Sequence, residues 1–214
     1  MLKLFLETLD HDRQETFLML GKFSGVGILA GGTAITLQIG HRLSYDFDIF
    51  TSGPITENIW NKVKRVFGSG CARTLQTKTQ LNFLTPKSVR VTFYHAGFPP
   101  LFPTIKTNSL DLYDLKDLAT NKAYTVGRRG KWRDYIDLYF LLKEKKISLG
   151  ELVNLTKRRY GDDFSEKLFL EQLIYFRDIK KFSIDFCRDE TAPENVQKFL
   201  IEDVKKLTDS LAIS

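Results

Sequence analysis

The stretch Gly27 to Thr51, GILAGGTAITLQIGHRLSYDFDIFT, decides the fold. With Val26 ahead of it, it opens on the apolar run Ile28, Leu29 and Ala30, which has the character of a short buried strand. It then breaks at Gly31-Gly32 and resumes on the hydroxyl of Thr33. This is a strand turning into a helix. Thr33 is the expected N-cap, the turns after it carry Ala34, Ile35, Leu37 and Ile39 as an apolar face, and Gly40 closes the helix. Unsatisfied backbone N–H groups and the positive end of the helix dipole then point out of the Gly-Gly corner, an arrangement that accepts a phosphate. Beyond the polar connection His41 to Tyr45 the chain runs Asp46-Phe47-Asp48-Ile49-Phe50. A strand alternates its side chains, so Asp46 and Asp48 share one face while Phe47 and Ile49 face a core. Two neighbouring carboxylates repel, and a divalent cation such as Mg2+ or Mn2+ is the ordinary means of keeping both ionised. Asp46 and Asp48 are therefore the candidate metal ligands, one short helix away from a candidate phosphate cradle.

Taken singly, a Gly-Gly-Thr sequence is more often a tight turn, and an Asp-x-Asp is usually a solvated strand face. Their conjunction is more specific, because the acids fall where the strand after the helix returns beside the first strand.

At 214 residues the chain has room for one large domain or two small ones, each with a core. Its longest apolar runs, such as Leu138 to Leu142, fall far short of a membrane span. The N-terminal MLKLFLETLDHDRQ turns polar and acidic too early for a signal peptide, so a cytoplasmic protein with no membrane partner is expected. Cys71 and Cys187 stand far apart without a histidine pattern, and are expected as buried thiols rather than a disulfide or a zinc site. The formal charge is +6, and Met1 to Asn108, with 12 basic against 7 acidic residues, carries +5 of it. Such a balance admits a nucleotide or nucleic-acid partner without requiring one. In the nearly neutral remainder, Lys122, Arg128, Arg129, Lys131 and Arg133 occur with no acid between them.

Outward from the deciding stretch, Leu2 to Leu20 has the spacing of an amphipathic helix that packs behind a sheet, with His11 at its surface. Pro54 to Phe67 predicts a second helix, stopped by Gly68-Ser69-Gly70. Cys71 to Ala96 predicts an antiparallel meander, with strands at Ala72 to Gln76, Gln80 to Leu84 and Val89 to Tyr94. Phe98 to Asn108, FPPLFPTIKTN, holds three of the six prolines and is expected as a linker. From Leu110 the pattern turns helical. Asp114-Leu115-Lys116-Asp117 opens a helix through Val126, Gly127 to Gly130 is a break, and a further helix starts near Lys131. That helix carries Trp132, Tyr135, Ile136, Tyr139 and Phe140 on one face and Arg133, Asp134 and Asp137 on another, with Arg133 and Asp137 as an i,i+4 pair. Ser148 to Glu151 forms a capping box for a helix to Tyr160, another helix is expected from Phe164 to Phe176, and Pro193 opens the last one.

The set Gly31-Gly32-Thr33, Gly40-His41-Arg42, Ser44 and Asp46-Phe47-Asp48 resembles the first motif of the nucleotidyl transferase AbiEii/AbiGii toxin family, within the polymerase-beta-like nucleotidyltransferases. Lys122, Arg128, Gly130, Arg133, Asp134 and Asp137 resemble its second constellation, a lysine-bearing helix, an arginine-glycine loop and a basic-Asp-x-x-Asp helix start. Without the resemblance, the last three residues read as surface ion pairs worth about 0.3–0.5 kcal/mol each. The resemblance spans the first 142 residues, and the rest matches nothing specific.

The resemblance implies an α+β protein. A nucleotidyltransferase palm-like mixed sheet flanked by helices occupies residues 1–108, and a C-terminal helical bundle over 109–214 completes the active-site cleft. It implies that Asp46 and Asp48 hold magnesium, that Gly31, Gly32 and Thr33 donate to the nucleotide's β- and γ-phosphates, and that Lys122 and Arg128 neutralise the leaving pyrophosphate, with Arg133 as a further phosphate contact. Asp134 and Asp137 either orient Lys122 or Arg133, or one of them replaces a missing carboxylate. His41 and Arg42 either contact the nucleotide or cap the strand that begins at Asp46. The family pattern puts a third carboxylate on a later strand, in the stretch matching Val89 to Tyr94, where this chain has Thr92. A hydroxyl is a poor replacement for a charged metal ligand. Three outcomes stand open: a site working with two carboxylates, another acid reaching in, or binding without turnover. The implied function is magnesium-dependent transfer of an NMP from an NTP to an acceptor, tRNA first among them. The protein would be the toxin of a toxin–antitoxin or phage-defence pair with a cognate antitoxin. The alternatives are a catalytically weakened nucleotide- or RNA-binding module, and a kinase-like phosphoryl transferase that would release ADP rather than pyrophosphate.

Overall fold

The computed structural model describes residues 3–95 and 97–212. Its contacts divide the chain into two units, Met1–Asp114 and Leu115–Ser214.

In the first unit the helix expected from Leu2 is two pieces, a 3-10 turn at Leu6–Thr8 and α1 at His11–Leu20. Asp10 causes the break: its backbone is extended and its carboxylate accepts from the Arg13 N–H at 2.9 Å, which caps α1. Leu2 lies outside the described residues. There follow β1 (Gly27–Ala30), α2 (Gly31–Ile39), β2 (Asp46–Thr51), α3 (Glu57–Phe67), β3 (Ala72–Gln76), β4 (Gln80–Leu84) and β5 (Arg90–Tyr94). The strands fall where alternation in β2 and, for β3 to β5, β-branched content and turn punctuation placed them, with β5 starting one residue later than expected; Ala96, assigned to the end of the meander, lies outside the described residues. They form one five-stranded sheet in the order β1-β2-β5-β4-β3. β2 pairs with β5 in parallel and the other pairings are antiparallel, which makes the mixed sheet of the expected α+β fold.

One face of the sheet is the core. Phe47, Ile49, Leu81, Phe83, Val91 and Phe93 are fully buried there, with Phe17 of α1, Phe23 and Val63 of α3. Phe17 stacks on Phe47 at 6.4 Å, and Phe67 of α3 meets Phe83 at 5.7 Å. Burying each such side chain stabilises the fold by about 1.5–3 kcal/mol, and this pins the register, since a one-residue slip would turn the acids of β2 inward. Phe98 to Asn108 falls inside the first unit rather than between the two, with Ile105 and Leu112 exchanging both backbone hydrogen bonds at 2.9 Å. The chain after it folds back on β1, where Leu29 N–H donates to the Asp111 carbonyl at 2.9 Å and Tyr113 N–H to the Leu29 carbonyl at 3.0 Å, covering an otherwise open edge.

The second unit is all helical: α4 (Leu115–Val126), α5 (Trp132–Lys143), α6 (Leu149–Tyr160), α7 (Glu166–Leu173) and α8 (Pro193–Ala212). Ser148 caps α6 through the Glu151 N–H, as the spacing predicts. α7 is shorter than expected at both ends, because Ser165 caps it at Leu168 and the chain turns out after Leu173. Arg159 of α6 is buried against α4, donating to the Asp117 carbonyl and to Thr120 Oγ1, both at 2.9 Å. Neither cysteine forms a disulfide; Cys71 is half-buried, and Cys187 is exposed where a buried thiol was expected. No helix among the described residues is long and apolar enough to cross a membrane.

Candidate active site

α2 starts at the first residue after β1, so the chain must reverse at Gly31. Its φ of +66° is left-handed, and a Cβ there would lie 2.5 Å from Asp48 Oδ2. Only glycine fits, and the reason is the acid itself: the Asp48 carboxylate lies directly against the corner. Register explains the meeting, since Asp48 pairs with Ala30, the residue just before Gly31. Ala30 is the N-cap of α2 and offers no side-chain hydrogen bond, so its side chain leaves the first-turn N–H groups of this nine-residue helix uncapped. Thr33 is therefore not the cap. It lies inside the helix, 2% exposed, donating to the Asp46 carbonyl while its oxygen bonds Ser44 Oγ at 2.7 Å. That pair ties the start of α2 to the start of β2. Ser44 acquires this positioning role, which its polar loop sequence did not disclose. Gly40 ends α2 at φ 66° and ψ 26°, as expected.

The open sheet face carries the acids. Asp46 is paired with Arg90, Asp48 with Thr92, and Thr92 with Asn82. Thr92 thus occupies the strand position next to Asp48 at which a third carboxylate was expected. Among the described residues no three His, Cys, Asp or Glu side chains converge as a metal cluster. Two carboxylates still fit Mg2+, which keeps several waters and is commonly held by one or two carboxylates together with substrate phosphates. The adjoining uncapped helix start is where those phosphates would lie. His41 and Arg42 are 0% and 3% exposed, and Arg42 donates to the Leu43 carbonyl at 2.8 Å.

In the helical unit, Lys122 Nζ of α4 lies 2.7 Å from both Asp134 Oδ1 and Asp137 Oδ2 of α5, with side-chain exposures of 10%, 7% and 0%. The surface ion pairs expected of these residues are instead one buried cluster, and Asp137 turns to Lys122 rather than to the exposed Arg133. Asp134 Oδ2 is buried with no hydrogen-bond partner. Arg128 is exposed but committed: its guanidinium lies 3.6 Å from the Tyr124 ring centroid and donates to the Asp163 carbonyl at 2.6 Å. Tyr124 in turn stacks on Tyr160 at 4.0 Å, and the Tyr160 hydroxyl donates to Asn121 at 2.6 Å.

A mixed sheet bearing two acids on one face, one of them against a glycine corner at a helix start, with an all-helical unit after it, is the architecture of a nucleotidyltransferase-like protein. Solved structures share the fold. MenT4, a nucleotidyltransferase toxin from Mycobacterium tuberculosis, superposes with a TM-score of 0.60 at 16% identity over 91% of this chain and 82% of its own. JHP933 from Helicobacter pylori superposes with a TM-score of 0.52 at 16% identity over 95% and 96%. An uncharacterised protein of Aquifex aeolicus is 32% identical over 182 residues, 83% of this chain and 86% of that protein. Residues 21–202 match the family described as nucleotidyl transferase AbiEii toxin, type IV toxin–antitoxin system, and the chain belongs to it. The match runs far into the C-terminal helices, where sequence reading had found nothing specific.

Proposed function

We propose that this chain is the toxin of a cytoplasmic toxin–antitoxin pair and moves an NMP from an NTP to an RNA acceptor, with tRNA the leading candidate. The observation that carries the reading is the Asp48 carboxylate lying against the Gly31 corner at the uncapped start of α2. Asp46 and Asp48 would hold Mg2+ or Mn2+, which when bound neutralises phosphate charge and lowers the pKa of an attacking hydroxyl. The backbone N–H groups of Gly32 and Thr33 receive the β- and γ-phosphates, and Gly31 gives them room. The acceptor hydroxyl gives up its proton to solvent as its oxygen bonds the α-phosphorus, the bond from that phosphorus to the bridging oxygen breaks, and pyrophosphate leaves. Lys122, oriented by Asp134 and Asp137, and the exposed Arg133 are the helical unit's candidate cations for phosphate charge.

Purified protein incubated with labelled NTPs, Mg2+ and total tRNA is expected to label RNA, and Asp46→Ala/Asp48→Ala to abolish both labelling and growth inhibition. No transfer from any NTP, together with undiminished growth inhibition by the double variant, overturns the reading. Thr92 beside Asp48 supports one alternative, a module that binds nucleotide without turning it over. Calorimetric NTP binding with no pyrophosphate released would select it.

A further inference from the structure

The first unit contains a cavity of about 540 Å³ that the chemistry above does not use. Ile28, Phe50, Pro100 and Tyr113 wall it, and His95 and Lys106 stand among its polar lining. Its position follows from register. Phe50 shares the open face with Asp48, two residues further along β2, and pairs with Ile28 as Asp48 pairs with Ala30. Two residues of strand span roughly 6.6 Å, about the reach from a reacting phosphate to the sugar or base beside it. Phe50 also meets the rings of Tyr94 and Tyr113 edge-on, at 5.6 and 5.7 Å. An aromatic surface therefore continues from the acids into the cavity. Its volume lies within the range of small-ligand sites, and ring walls with a few polar groups suit a planar heterocycle.

Direction decides which heterocycle. The Gly31 corner lies on the opposite side of Asp48 from Phe50 along the strands, and it is where the departing phosphates are bound. In-line displacement puts the attacking oxygen opposite the leaving one. We propose that the cavity is the acceptor subsite, seating the base of the terminal nucleotide whose hydroxyl attacks, with Lys106 near the phosphate behind it. The Lys106 ammonium, paired with Asp111 at 2.6 Å, is 78% exposed and reachable by a strand. This assignment rests on the nucleotidyltransferase reading.

The test uses the full chain and a short 5′-fluorescein-labelled single-stranded RNA with a free 3′ end, alongside the same RNA ending in an abasic ribose. Fluorescence anisotropy without NTP is expected to show about tenfold weaker binding of the abasic RNA by the wild type. Thr104→Trp, which fills the cavity, and Phe50→Leu, which removes its ring wall, are expected to bind both RNAs equally and weakly. Their calorimetric affinity for a nonhydrolysable NTP stays within about twofold of wild type. Equal binding of the two RNAs by the wild type, or no RNA binding, overturns the proposal, and this arm needs no variant to fold. Weakened NTP binding with RNA discrimination intact also overturns it, by giving the cavity to the NTP base. Base-dependent RNA binding without any label transfer keeps the subsite and sinks the transferase reading; transfer without base discrimination does the reverse.

Discussion

Gly31 is constrained twice, by its φ of +66° and by the Asp48 oxygen 2.5 Å from where a Cβ would be. The two constraints separate by mutation. Gly31→Ala is expected to destabilise by about 2–3 kcal/mol in urea unfolding, from the left-handed backbone and from forcing Asp48 aside. In an Asp48→Ala background the carboxylate is gone and the Cβ of residue 48 remains at 3.1 Å, so the same change is expected to cost about 1–1.5 kcal/mol, chiefly the backbone share. Equal costs in both backgrounds would show that the carboxylate does not press on the corner. Thr92 admits a complementary change. Because it pairs with Asp48, Thr92→Asp sets like charges side by side on neighbouring strands, and its melting temperature is expected to fall without Mg2+ and recover with it. If the third ligand is all that limits catalysis, NMP transfer rises in the same variant.

At the scale of elements, the α4 and α5 pair is joined by a charge cluster that is more than surface decoration. Lys122→Met removes the cation held between the buried Asp134 and Asp137 carboxylates, and is expected to cost about 3–5 kcal/mol. Adding Asp134→Asn and Asp137→Asn is expected to recover most of that stability without restoring transfer, which separates fold from chemistry; full recovery of transfer would remove Lys122 from the mechanism. Tyr135 fastens α5 to the end of α7, its hydroxyl donating to the Gln172 carbonyl at 2.8 Å. Burial first, then the charges of Asp134 and Asp178, push its pKa up to about 12 from 10.0. The folded state thus keeps the proton that the unfolded chain loses near pH 10. This contribution is present below pH 10 and is lost as pH rises to about 12. Tyr135→Phe is expected to flatten that part of the stability profile, measured by denaturant titration across the window.

Across the whole molecule, what the sequence disclosed followed from period and punctuation. Alternation in Asp46-Phe47-Asp48-Ile49 fixed which face holds the acids, and the glycines marked both ends of α2. What it hid depended on partners distant in sequence. Thr33 looked like a cap because its bonds to Ser44 and Asp46 form only once β2 returns beside β1. The Lys122 cluster looked like surface charge because burial comes from the packing of α4 on α5, and prolines made 98–108 look like a linker although the following residues bond to β1. The two units carry separate cores, so unfolding need not be two-state, and a ligand is read in the transition of the unit that binds it. A ligand that binds only the folded form stabilises by about 2.7 kcal/mol at a hundredfold excess over Kd. For a unit of this size that is on the order of 10 °C. Nonhydrolysable NTP with Mg2+ is therefore expected to raise the transition of the unit carrying Asp46 and Asp48 by that amount in scanning calorimetry. Mg2+ alone should give a much smaller shift, because two carboxylates without the phosphates leave its coordination mostly to water. Asp46→Ala/Asp48→Ala should abolish the NTP-dependent shift, and an undiminished shift in that variant would place the triphosphate away from the glycine corner.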